Sequence, residues 1–75
     1  MEIEKHIRQR LELGERTYGK DAWKKLTPNE LIQMTQEELV DAINYLNWLK
    51  AKGIDLTNLI PLLKSMYNTI EVKRK

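Results

Sequence analysis

Ile3, Ile7 and Leu11 recur every four residues, with Glu4, Lys5, Arg8, Arg10 and Glu12 placed between them. That spacing gathers the apolar side chains on one stripe of a helix and predicts an amphipathic helix over residues 2–18. Gly19 follows Tyr18 and suits the left-handed conformation that closes a helix, although Gly14 offers an earlier stop. The connector Lys20–Leu26 is expected to be an ordered loop or a single helical turn, with Trp23 and Leu26 plugging a core beneath it.

A second helix is predicted over residues 28–52. Thr27 as N-cap, Pro28 at the first helical position and Glu30 three residues after the cap form a capping box. Ile32, Thr35, Leu39, Ala42, Leu46 and Leu49 then alternate steps of three and four, a continuous seam for neighbouring helices, and Gly53 ends the run. A third helix is predicted over residues 58–73 from Leu59, Leu62, Leu63, Met66, Tyr67 and Ile70. With Asn58 as its N-cap, Pro61 falls in the first turn, where its missing N–H costs no hydrogen bond. An earlier cap at Asp55 would force a kink. Ile54–Thr57 has the composition of a very short strand, but nothing else in the chain has strand periodicity.

The fold class is therefore all-α: one domain over residues 1–75, a three-helix antiparallel chain. At 75 residues such a domain buries only about 60% of its unfolded surface, so completion of the bundle by dimerisation is expected. No apolar run approaches a membrane span, and the amino terminus alternates charge with hydrophobe, so neither a membrane span nor a secretory signal is expected, and the chain is assigned to the cytoplasm. The absence of cysteine removes disulfides and Cys-type zinc sites, and His6, the only histidine, has no second ligand beside it. A net charge of +2 disfavours a role in binding nucleic acid. Ser65 has no base adjacent in sequence, and no glycine-rich phosphate loop occurs.

Charge is distributed more tellingly than its total suggests. Residues 28–49 carry Glu30, Glu37, Glu38 and Asp41 with no Lys or Arg. Glu38 and Asp41, three apart, share a helix face, and Glu12 and Glu15 repeat that spacing on the first helix. Two such pairs facing each other would offer the hard oxygen ligands that Mg²⁺ prefers, while an exposed acidic face held by solvent is the plainer outcome. Tyr45, Leu46 and Trp48 are expected at an interface, as anchors rather than base-stacking platforms, because basic residues do not interleave with them.

The segment Glu37-Glu38-Leu39-Val40-Asp41-Ala42-Ile43-Asn44-Tyr45-Leu46 resembles the EExxD helix of MazG-like all-α nucleoside triphosphate pyrophosphohydrolases, and Arg10–Gly19 is similar to a segment of their short, often phage-borne, members. The resemblance covers roughly residues 7–50 and implies a helical bundle completed as a homo-oligomer. It implies Mg²⁺ held by Glu12, Glu15, Glu38 and Asp41, with Glu37 or Glu15 as the catalytic base for an attacking water. Lys20, Lys24 and Lys25 would steer the nucleotide triphosphate toward its cleavage to monophosphate and pyrophosphate. Glu38 and Asp41 match the second motif of the family, whereas Glu12 and Glu15 match the first in spacing only, with Gly14 interrupting a cluster that is more acidic in the family. The leading expectation is accordingly a bundle of this shape serving as a protein-interaction or regulatory module, with an active Mg²⁺-dependent pyrophosphohydrolase as the alternative.

Overall fold

Thr27 starts the longest element of the chain. In the computed structural model, which describes residues 2–75, its hydroxyl accepts from the Glu30 N–H at 3.1 Å while the Glu30 carboxylate accepts from the Thr27 N–H at 2.9 Å. Both halves of the capping box are thus made, and Pro28 opens the helix behind them. Three α-helices result, α1 (Ile3–Tyr18), α2 (Pro28–Ala51) and α3 (Ile60–Glu71), and among the described residues there is no strand. The chain is all-α, as its periodicity requires.

Helix α1 runs through Gly14 and stops at Gly19, whose φ of 99° is a conformation that side chains with a Cβ rarely adopt. The connector contains one 3₁₀ turn, Ala22–Lys25. Gly53 plays the closing role after α2, with φ of 96°.

The start of α3 differs from expectation. Asn58 does not cap it. The Asp55 carboxylate instead accepts from the Thr57 N–H at 3.0 Å and from the Thr57 hydroxyl, organising a 3₁₀ turn over Thr57–Leu59 that runs directly into α3. The 3₁₀ turn absorbs the change of direction that an Asp55 cap was expected to turn into a kink, and Pro61 sits in the first turn, where it forfeits nothing.

Helices α2 and α3 pack antiparallel, and a polar latch holds the end of that hairpin. Gln36, only 2% exposed, donates to the Glu71 carboxylate at 2.6 Å and accepts from the Arg74 guanidinium, which also reaches Gln33 and lies 3.1 Å from Glu71. Two turns before Gln36, Asn29 donates to the Lys75 carbonyl at 2.6 Å and accepts from the Lys75 N–H at 3.1 Å. Arg74, in the basic terminal segment, closes the hairpin.

The hydrogen bond from Gln36, with Arg74 next, holds the Glu71 carboxyl below its ordinary pKa; the Thr27 N–H does the same for Glu30, and the Thr57 hydroxyl for Asp55. Because these folded-state values are depressed, the stability they contribute is present above the unfolded carboxylate range of about 4 and is lost as pH falls through the lower folded values. Helicity followed by circular dichroism is expected to stay level from neutral pH to about 5 and to fall below about 4, with Arg74→Ala shrinking the loss assigned to the α3 end.

Packing stops at this hairpin. α1 makes no more than marginal contact with α2 or α3, so the antiparallel arrangement expected for three helices is realised by two. Among the described residues no apolar side chain is buried, and Gln36 is the only buried residue. Leu26 is half-buried and Trp23 is exposed, so neither plugs a core. The radius of gyration is 14.8 Å, against about 11 Å for a compact domain of this length. The chain exposes 6585 Å², whereas a compact monomer of 8.9 kDa exposes about 4,800 Å².

Candidate functional site

The excess surface is organised. On α2 the seam Leu39, Ala42, Leu46 and Leu49 is half-buried, covered on one flank by α3 and open on the other, with Leu31 exposed at its start. On α3, Leu63, Tyr67 and Ile70 are half-buried toward α2, while Leu59, Leu62 and Met66 stand exposed beside them. Helical spacing in two antiparallel helices places these exposed rows on the same side of the hairpin. The opposite side carries Gln33, Glu37, Asn44, Lys64 and Asn68 and is polar. The hairpin is thus amphipathic as a unit, with one apolar face uncovered.

A second apolar surface lies on α1, where Ile3, Ile7 and Leu11 are each about three-fifths exposed or more. Where α1 and α2 diverge, Leu11, Gly14, Tyr18, Trp23, Leu31 and Met34 line an open cavity of about 430 Å³. Its wall is almost wholly apolar.

Glu38 stands on the outer edge of α2, away from α3, whereas Asp41, one turn after Glu37, lies toward the polar side and lines a cleft there with Glu37 and Tyr67; both are exposed, and neither forms an ion pair among the described residues. Between them and the end of α2, Tyr45 and Trp48 meet edge to face with ring centres 5.6 Å apart, both exposed, while Leu46 is half-buried in the seam. Glu12 is exposed and Glu15 half-buried on α1. Glu37 lies toward the polar side of α2, where its carboxylate accepts from Gln33 at 2.9 Å. Among the described residues no three His, Asp or Glu side chains come together as metal ligands. Within one chain, therefore, Glu12 and Glu15 do not join Glu38 and Asp41, because α1 does not pack beside α2. Lys20, Lys24 and Lys25 are exposed around the 3₁₀ turn; Lys24 pairs with Asp21 at 3.5 Å and stands 5.9 Å from the Trp23 ring centre.

The residues least visible from sequence are those of the latch. Gln36 sits beside Glu37 in an acidic segment, and its partners Tyr67 and Glu71 lie 31 and 35 residues away. A polar residue within the row of α2 that faces α3 was the available signal.

No family model, curated protein or solved structure matches the chain.

Proposed function

We propose that this chain is a protein-interaction module that folds as part of a homo-oligomer, its apolar hairpin face and the stripe of α1 being closed by a second polypeptide. The carrying observation is the surface. The chain exposes about 1,800 Å² more than a compact monomer of its mass, and obligate dimers bury roughly 1,000–2,500 Å² on each subunit. Solitary exposed apolar residues are ordinary, but a contiguous face across two helices is the mark of an interaction site. Small-angle scattering across a concentration series tests this. Assembly into particles of twice the chain mass or more is expected, and a monomer with a radius of gyration near 11 Å, compact and without affinity for an apolar dye, overturns the reading.

A second reading, the Mg²⁺-dependent nucleoside triphosphate pyrophosphohydrolase, is favoured by Glu38 and Asp41 sharing a face with no basic partner. One chain does not assemble the metal ligands, so Glu12 and Glu15 would have to come from another copy. Calorimetric titration with Mg²⁺ and a non-hydrolysable triphosphate tests it, with Asp41→Asn as control; absence of heat in the associated protein removes it. No helix among the described residues is long and apolar enough to cross a membrane.

A further inference from the structure

We infer that two copies of this chain exchange α1: the helix of each lies in the groove between α2 and α3 of the other, antiparallel to that α2, with Arg10 against Glu38. The inference rests on the interaction reading above and assigns its geometry.

Dimensions support the fit. From Ile3 to Tyr18 the α1 stripe is about 22 Å long, and from Leu31 to Leu49 the hairpin face is about 27 Å. A helix laid in that groove covers Leu39, Ala42 and Leu46 on one wall and Leu62 and Met66 on the other, which is the third side that the two-helix hairpin lacks.

Charge sets the direction. On the wheel of α1, His6 and Arg10 flank the apolar stripe on one side, and Glu4, Arg8 and Glu15 flank it on the other. Running antiparallel to α2 turns the Arg10 flank toward the outer edge of α2, where Glu38 stands without an ion-pair partner among the described residues. Arg10 lies at the middle of α1 and Glu38 near the middle of α2, so centring one helix on the other brings the two charges to the same height. Gly14, one turn after Arg10, puts no side chain between the guanidinium and its target, and nothing lies within 4 Å of where its Cβ would be.

Exchange rather than closure within one chain follows from the placement of α1. It leaves the connector at Gly19 and stands off α2 across the open cavity, while its own hairpin face remains bare. A protomer with one helix extended and its docking groove vacant has the form of a subunit in an exchanged dimer.

The test uses two full-length variants. Arg10→Glu sets like charge against Glu38, and Glu38→Arg sets like charge against Arg10. Each alone is expected to self-associate about tenfold or more weakly than the native chain in sedimentation equilibrium, while an equimolar mixture recovers native-like association as the heterodimer, seen by native mass spectrometry. Mixed dimers pair opposite charges at both sites only if α1 crosses between chains. A mixture no stronger than its components, in a native chain that still dimerises, overturns the exchange and leaves the interaction reading standing. A native chain that is a compact monomer overturns both. A native chain that stays an open monomer, binding the apolar dye, overturns the exchange and the homo-oligomer together.

Discussion

Met66→Glu is expected to weaken association by about a hundredfold or more while leaving the helices of the separated chain intact. In the single chain Met66 is 44% exposed, so a carboxylate there keeps its water. Glu and Met have similar helix propensities, and a substitution of this kind on open surface changes stability by less than about 0.5 kcal/mol. Under a partner helix the same carboxylate loses its hydration, and the apolar contact of the methionine is lost as well. Together these cost more than about 3 kcal/mol, which corresponds to a factor of about a hundred in dissociation constant. Asn68→Glu, on the polar side of the same helix, is the matched control and is expected to change the constant little. Equal constants for the native chain and Met66→Glu in sedimentation equilibrium would show that the face stays in water.

Thermal unfolding is expected to depend on protein concentration, the midpoint falling by about 4 °C for each tenfold dilution. Without a buried apolar residue of its own, the separated chain has little to set against the entropy of ordering its backbone, so folding and association are coupled. Tenfold dilution shifts such an equilibrium by about 1.4 kcal/mol per dimer, and unfolding about 150 residues carries roughly 0.3 kcal/mol per kelvin of entropy. The ratio gives the slope. Circular dichroism melts from about 1 to 100 μM would span about 8 °C, and a midpoint constant over that range would mean that the hairpin and α1 hold themselves together.

The two effects separate contributions that a single stability measurement merges. Dilution reads how much of the fold is owed to a partner, whichever surface the partner uses. Met66→Glu asks whether the hairpin face is that surface. If dilution melts the chain and Met66→Glu leaves its association unchanged, then the partner sits elsewhere, with the cavity beside Trp23 and Met34 the remaining apolar surface of any size.

The sequence by itself determined the local elements, because their signals are local. The Thr27–Glu30 capping box, Pro28 and Gly53 bound α2 within a residue of its expected span, since a cap is made by groups three residues apart that need no tertiary context. Gly19 closed α1 for the same reason. The apolar rows of all three helices were legible as well, for a period of 3.6 fixes which side chains share a face. What periodicity cannot say is what each face meets. An amphipathic stripe satisfied by its own chain and one satisfied by another chain have the same spacing, so the separation of α1 from the hairpin, and with it the parting of Glu12 and Glu15 from Glu38 and Asp41, was decided only in three dimensions. The start of α3 is not legible from Asn58, Asp55 and Pro61 alone, because a 3₁₀ turn held by the Asp55 carboxylate leads into the helix without Asn58 or Asp55 capping it. The Gln36–Glu71–Arg74 latch joins residues up to 38 apart through side-chain hydrogen bonds, and no linear pattern records a partner at that distance. Local hydrogen bonding and helical period live in the sequence; the closing of one apolar face on another depends on where the connector aims the helices, and that belongs to the tertiary structure.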